Sequence, residues 1–149
     1  MILNRQRTAR LARRPLELFL RRVWDELGLE GTEVTICLVS DAEITRMNSS
    51  FRGKKAPTDV LSFPAAENRR PFRIKRGRRG LIKNRYLGDV AISPATAGRN
   101  ARTYGRTLGN EIRVLMLHGV LHLLGYDHET DRGEMDRLER KLRLRLGLA

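Results

Sequence analysis

Apolar residues recur along the chain with two different spacings, one typical of helices and one typical of strands. After Pro15, apolar side chains fall on one face of a predicted helix that Gly28 would end; they are Leu16, Phe19, Leu20, Val23, Trp24 and Leu27. Residues 33–39 alternate between polar and apolar side chains, which predicts a strand. Ser40 follows as the cap of a second helix, which we expect to continue through Met47.

The same spacings predict the elements in the rest of the chain. Residues 59–63 and 87–92 are predicted as short strands, and Ser93 with Pro94 opens a further helix. Residues 111–124, capped by Asn110 or a neighbour, are apolar on most sides, which predicts a central, buried helix. Its apolar residues are Ile112, Val114, Leu115, Met116, Leu117, Val120, Leu121, Leu123 and Leu124.

A charged final helix completes the predicted fold. Over residues 131–146 an apolar stripe can cover the core; it consists of Met135, Leu138, Leu142 and Leu146. A chain of 149 residues is the size of one ordinary domain. We therefore predict a single α/β domain of the α+β kind over residues 1–149, with a small mixed β-sheet covered by helices.

All three histidines of the chain lie within eleven residues, on the central helix and just after it. His118 and His122 are four residues apart, so their side chains project from the same helix face. Gly125 suits the left-handed turn that would bring His128 back toward this pair. Three imidazoles leave the fourth position of a tetrahedral zinc ion open, as catalytic zinc sites do. We predict one Zn²⁺ per chain, bound by His118, His122 and His128.

The three histidines also have a structural interpretation. A histidine on an apolar helix is more often a hydrogen-bonded core residue than a ligand, but a pair at helical spacing plus a third after a turn is hard to explain as core filling. Cys37 lies in a strand-like run, where a single cysteine usually behaves as a small buried apolar residue, so we do not expect it as a fourth ligand. Three imidazoles also bind nickel and copper well, which leaves the identity of the metal open.

Composition adds a large excess of positive charge. Thirty Lys plus Arg against 17 Asp plus Glu give a net charge of +13. This excess implies an anionic partner, most commonly nucleic acid. One cysteine excludes an internal disulfide. The apolar runs are too short to span a bilayer, and the start of the chain lacks the apolar core of a secretory signal, so we expect a soluble, intracellular protein with no membrane partner.

Two segments concentrate the positive charge. Residues 1–14 carry five arginines and no acid, as an organellar transit peptide does, but they run into the first helix without a linker, which favours a basic N-terminal arm that binds phosphates. Residues 67–86 form a basic loop in which Glu67 is the only acid. Such an insertion is often only a solvated loop. If it grips RNA instead, the candidate RNA-binding residues are Arg69, Arg70, Arg73, Lys75, Arg76, Arg78 and Arg79.

The histidine cluster also carries a resemblance to a known family. Residues 118–128 fit the pattern H-G-x-L-H-L-x-G-Y-D-H, which resembles the signature of the bacterial YbeY family of rRNA maturation endoribonucleases. Residues 52–64 resemble the arginine loop and following strand of that family, and residues 87–93 resemble its next strand. The resemblance extends over residues 34–145.

The resemblance implies a function. It points to a zinc-dependent, single-strand-type endoribonuclease that acts in rRNA maturation, including the 16S 3′ end, and in ribosome quality control. The implied partners are RNA, especially rRNA, and the small ribosomal subunit; DNA is not expected. The implied location is the bacterial cytoplasm, and the arginine at the position of Arg52 is implied to be functionally required.

The chemistry of these residues suggests a mechanism. Bound zinc would lower the pKa of a water molecule until hydroxide is available near neutral pH. The transition state of phosphodiester cleavage gains negative charge, which a fixed guanidinium stabilises. Arg52 is our candidate for this role, and the resemblance favours it by implying that this arginine is functionally required. Without the resemblance, Arg52 would be interpreted as an ordinary exposed arginine at a helix end. Asp127 is our candidate for accepting a proton or orienting an imidazole, with helix capping as an equal alternative.

Gly119 bears on both mechanism and packing. It stands where zinc peptidases of the H-E-x-x-H pattern have glutamate, which argues against an ordinary zinc peptidase. Glycine inside a helix costs about 1 kcal/mol relative to alanine, so either a close approach of ion, substrate or backbone, or tight helix packing, would explain it. Two rival functions stay open: a non-catalytic, zinc-stabilised ribosome assembly factor, and a zinc hydrolase acting on a peptide or small ester.

Overall fold

The computed structural model of the chain describes residues 1–66 and 85–148. In chain order its elements are β1 (Ile2–Asn4), α1 (Arg13–Leu27), β2 (Thr32–Leu38), α2 (Asp41–Arg52), β3 (Val60–Pro64), β4 (Arg85–Ile92), α3 (Pro94–Tyr104), α4 (Leu108–Leu123) and α5 (Glu134–Arg145). Within the described ranges, no helix is both long enough and apolar enough to cross a membrane.

The strands of the described residues form one four-stranded sheet in the order β1-β2-β4-β3. β1 runs parallel to β2 and β2 runs parallel to β4, whereas β3 pairs antiparallel with β4 at the opposite edge. The predicted small mixed sheet of an α+β domain is therefore confirmed.

Alternation along the strands gives the sheet two apolar faces. Ile36, Val90 and Ile92 lie on one face, in the large core that also contains buried residues of α1, α4 and α5. Ala91 and Leu61 lie on the other face and pack with Ile44 of α2 in a smaller cluster. Because successive strand residues point to opposite faces, one short sheet supports helices on both sides.

Local capping explains where most helices begin and end. The Ser40 side chain accepts a hydrogen bond from the backbone N–H of Glu43, and the Ser93 side chain accepts one from Thr96, as the sequence predicted. Gly28 ends α1 in the left-handed conformation, with φ of 64°.

Two predicted helix starts were wrong. α4 begins at Leu108, because Thr107 rather than Asn110 is the cap and accepts the N–H of Asn110. α5 begins at Glu134 rather than at residue 131. The Asp131 carboxylate accepts the backbone N–H groups of Gly133 and Met135, and these two bonds lower the pKa of Asp131. Asp131 therefore precedes the helix and satisfies amides at its start.

The N-terminal segment differs from the predicted arm over residues 1–14. Ile2–Asn4 forms the edge strand β1, and Ile2 is buried in the main core. The backbone N–H groups of Ile36 and Arg5 donate to Met1 and Leu38 respectively, which fastens the segment along β2. Three residues are too few to show a strand pattern, so the sequence did not predict this pairing.

Helix α4 is the central helix of the fold, as predicted. The nine apolar residues predicted to bury it are all buried, and the helix contacts β3, β4, α1, α3 and α5. At Gly119 it approaches the sheet most closely: an added Cβ would lie 2.6 Å from Cγ1 of Val90 and 3.3 Å from Oγ of Ser62. The Ser62 hydroxyl donates to the Gly119 carbonyl at 3.2 Å. Tight packing of the helix against the sheet thus explains this glycine.

We expect Gly119→Ala to destabilise the protein. The new methyl group would overlap the stiff, buried Val90 side chain, an overpacking cost of about 1–3 kcal/mol that exceeds the roughly 1 kcal/mol gained in helix propensity. Gly98→Ala in α3 is the matched control, because its Cβ would meet only Leu108 at an ordinary 3.8 Å. In urea unfolding, the free energy of unfolding should fall for Gly119→Ala and rise for Gly98→Ala, each relative to the original chain. A Gly119→Ala protein as stable as Gly98→Ala would contradict the packing argument.

Candidate metal centre

Helix α4 presents two histidines side by side. The Nε2 atoms of His118 and His122 lie 3.1 Å apart, and the ring centroids lie 4.6 Å apart. The spacing of four residues produces this pairing because it exceeds one helical turn only slightly. Both side chains are half-buried, at the boundary between the core and the solvent.

The third histidine comes from the turn after α4, as predicted. Gly125 has φ of 97°, and the N–H of Tyr126 donates back to the carbonyl of Leu121. This reversal places His128 with its ring centroid 5.7 Å from that of His118 and 5.5 Å from that of His122. One ring nitrogen from each histidine lies within 4.8 Å of the other two. Three nitrogen donors grouped in this way suit a single metal ion.

The surroundings of His122 favour the neutral form of its ring. Burial lowers the pKa of His122, and the neighbouring rings of His118 and His128 lower it further. A lowered pKa keeps the imidazole neutral to a lower pH than usual. Because only neutral imidazole has a lone pair to donate, His122 is held in the state that ligation requires.

A carboxylate from another helix orients His118. Glu139 of α5 lies 3.4 Å from the Nδ1 atom of His118, and its side chain is mostly buried. A carboxylate can only accept, so Nδ1 carries the proton and Nε2 keeps its lone pair toward the other histidines. Metal-ligating histidines usually have such a partner. Glu139 was not predicted, since 21 residues separate it from His118 and its only signal in the sequence was an acid on the predicted final helix.

The histidines line a cleft of about 500 Å³ at the ends of α2 and α4. The predicted catalytic residues Arg52 and Asp127 line the same cleft, so all five predicted metal and catalytic residues come together. Arg52 is exposed in the last turn of α2, and no salt bridge engages it within residues 1–66 and 85–148.

Asp127 shapes the turn that carries His128. Its Oδ1 accepts the N–H of Glu129 at 3.0 Å, and its backbone carbonyl accepts the N–H groups of Thr130 and Asp131. These contacts are those of a turn-forming aspartate. The catalytic role of Asp127 stays a prediction.

Two further carboxylates line the cleft and were not predicted, those of Asp59 and Glu129. Asp59 lies just before β3, and the Asn100 side-chain amide donates to the Oδ2 atom of Asp59 at 3.2 Å. The sequence predicted Asp59 only as the start of a strand. The candidate RNA-binding residues Arg69, Arg70, Arg73, Lys75, Arg76, Arg78 and Arg79 lie outside the described residues.

Comparison with known proteins bears directly on this cleft. The sequence profile of the family described as Endoribonuclease YbeY matches residues 1–147. The chain belongs to this family. The resemblance noted in the histidine motif is therefore confirmed, and the prediction of a hydrolase that cleaves RNA is confirmed at the level of the family.

Individual relatives agree over almost the whole chain. The endoribonuclease YbeY of Solibacter usitatus is 44% identical over 97% of this chain and 86% of its own length. That of Koribacter versatilis is 40% identical over 99% of this chain and 86% of its own length. The solution structure of a Thermotoga maritima protein has a TM-score of 0.64 and 28% identity, and the match covers 98% of this chain and 89% of the other.

We expect Glu139→Gln to weaken metal binding by about 10- to 100-fold, the usual effect of removing a carboxylate behind a histidine ligand. Metal affinity would be measured by competition with a chromophoric chelator. Asp136→Asn removes the same charge from an exposed position of the same helix, so it should keep the affinity of the original chain. Equal affinities for all three proteins would mean that Glu139 does not support the ligand.

We also expect His122→Ala to lose the metal and to loosen the C-terminal third of the chain. A metal ion held by the three histidines would join α4 to the turn bearing His128, so its loss would remove a link between these segments. Metal analysis and hydrogen exchange over residues 118–148 would report the two effects. Arg113→Ala, on the same helix and outside the cleft, is the control. Stoichiometric metal retained by the His122→Ala protein would refute the site.

Proposed function

We propose that the protein is a zinc-dependent, single-strand-type endoribonuclease that acts in rRNA maturation, including the 16S 3′ end, and in ribosome quality control. The observation that carries the proposal is the cleft itself. It gathers three histidine donors and an exposed arginine without a salt bridge among the described residues, in a chain of the endoribonuclease YbeY family. Metal-assisted cleavage of a phosphodiester needs both kinds of group.

The histidine set fits one divalent ion, and zinc is our proposal for it. The three imidazoles have no fourth protein ligand among the described residues. This set matches a catalytic zinc site, which keeps one position open. When bound, the ion supplies Lewis acidity, which lowers the pKa of water and polarises a phosphoryl oxygen. His118 is held in the ligating tautomer by Glu139, and His122 is kept neutral by burial.

Arg52 supplies positive charge where the reaction develops negative charge. Its guanidinium lines the cleft beside the histidines and forms no salt bridge with a described residue, so it is available to a phosphate. Five N–H donors in a planar fork match two phosphate oxygens at once. Because the charge on the non-bridging oxygens rises in the transition state, this contact is stronger there than in the ground state.

Asp127 is our proposed proton acceptor. One of its carboxylate oxygens, Oδ1, accepts the N–H of Glu129, which fixes the side chain in the cleft. The other oxygen is left to accept a proton or to orient water. Fixing a base in this way is what general base catalysis requires of its geometry.

Charge supports RNA as the substrate. The chain has a net charge of +13, Arg52 lines the cleft, and Lys54 and Lys55 are exposed in the loop that follows α2. We propose rRNA and the small ribosomal subunit as partners, and the seven candidate cations between residues 69 and 79 as further RNA contacts. The proposed location is the cytoplasm.

The decisive experiment is cleavage of a 16S rRNA precursor fragment by the original chain and by Arg52→Ala. Loss of the guanidinium should reduce kcat by at least about 100-fold, as for other single donors to a developing anion. Metal content and folding should be unchanged. Arg102→Ala, an exposed arginine of α3, should cleave normally. The assembly factor would be favoured if neither the original chain nor any variant cleaved the fragment. The Arg52→Ala protein would then keep its full metal content and an undiminished rRNA-dependent function.

Salt dependence separates the remaining rival. RNA binding should weaken steeply as salt rises, because each neutralised phosphate releases condensed counterion. A zinc hydrolase of a peptide or small ester would be nearly insensitive to salt. The KM for RNA would be measured between low and physiological ionic strength, and a flat dependence would count against RNA as the substrate.

A further inference from the structure

We propose that Phe51 is a base-stacking residue, which binds an unpaired nucleotide of the RNA beside the metal cleft. The inference rests on the proposed function and names a residue that determines its preference for single strands. It concerns substrate positioning rather than the cleavage step.

Phe51 is a large apolar side chain left in solvent. It is 55% exposed in the last turn of α2, directly before Arg52. Its ring packs edge-on against Phe63 of β3, with centroids 4.7 Å apart and an interplanar angle of 61°. Phe63 therefore braces the ring while more than half of the side chain stays accessible. An aromatic ring held in place and open to solvent is what stacking on a base requires.

The position of Phe51 connects it to the reaction site. It lines the metal cleft together with Arg52 and the three histidines, and it also lines an adjoining groove with Met47 and Phe63. A strand whose phosphate reaches Arg52 would thus have a neighbouring base within the range of the Phe51 ring, since both side chains line the same cleft.

Charge around the ring indicates nucleic acid as the occupant. Arg52, Lys54 and Lys55 are exposed beside it. The loop that carries the lysines is held by Asn48, whose carbonyl accepts the N–H of Lys54 at 3.4 Å and whose side-chain amide donates to the Ala56 carbonyl at 2.9 Å. Cations on the same surface as an exposed aromatic ring suit a strand of phosphates and bases.

One acid lies in the adjoining groove, and it does not reverse this charge. Glu43 is 3.6 Å from the Arg5 guanidinium, so an ion pair offsets its charge, and Arg46 lines the same groove. Arg46 in the groove and Arg52 in the cleft border the ring, while the acids of the cleft, Asp59, Asp127 and Glu129, lie among the histidine donors and the turn that carries His128. An exposed ring between two arginines is a poor match for an uncharged apolar protein face and a good match for single-stranded RNA. Bases of a duplex are stacked on one another and cannot reach the ring.

Binding of labelled oligoribonucleotides, single-stranded and duplex, tests the proposal, with the RNA checked for integrity after each titration. Phe51→Ala should weaken single-strand binding by roughly 5- to 150-fold, the range for one lost stack, and leave duplex binding unchanged. Phe51→Trp should restore single-strand binding, and its fluorescence should be quenched by RNA. Tyr104→Ala is the matched control, because Tyr104 is 66% exposed beside Arg106 and does not line the cleft.

The outcomes separate this inference from the proposed function. If the original chain binds and cleaves RNA, and the Phe51→Ala protein binds single strands with the same affinity, the inference alone is overturned. Equal loss of single-strand and duplex binding, or a Phe51→Trp protein as weak as Phe51→Ala, would also overturn it, because stacking predicts neither. An original chain that neither binds nor cleaves RNA would overturn both proposals.

Discussion

The close approach of α4 to the sheet is the constraint on which the candidate site depends. At Gly119 the helix backbone lies against Val90 and Ser62 with no room for a side chain, and Ser62 donates to the Gly119 carbonyl. His118 and His122 flank this contact on the same helix, so their backbone positions are set by the core of the protein. Ligands carried by a buried helix need little reorganisation when an ion binds, which favours affinity.

The histidine set couples distant parts of the chain. His118 and His122 come from α4, His128 comes from the turn shaped by Gly125 and Asp127, and Glu139 of α5 supports the His118 ring. Polar groups at the boundary of the core are costly unless they have partners. Here the partners are one another, a carboxylate and, in our proposal, a metal ion, so metal binding and the order of the C-terminal third are linked.

The cleft combines the three histidines with one arginine, Arg52. Arg52 at the end of α2 is exposed and forms no salt bridge among the described residues, whereas the Asp127 carboxylate also holds a turn and Asp59 is bonded to Asn100. Family membership identifies the chain as one of the endoribonuclease YbeY family. The geometry adds which groups face the substrate and suggests that an exposed ring, Phe51, lies beside them.

The sequence by itself determined the helix that carries two of the predicted ligands, the turn at Gly125 that brings in the third histidine, the family and most helix caps, because spacing, glycine turns and hydroxyl caps act over a few neighbouring residues. Tertiary structure alone decided that Ile2–Asn4 joins the sheet, that Glu139 supports His118, that Asp59 and Phe51 line the cleft, and why residue 119 is glycine. Each of these features depends on residues far apart in the chain. Sequence periodicity indicates only which face of its own helix or strand a side chain occupies. The packing of the helices against the sheet decides which side chain of another element contacts that face.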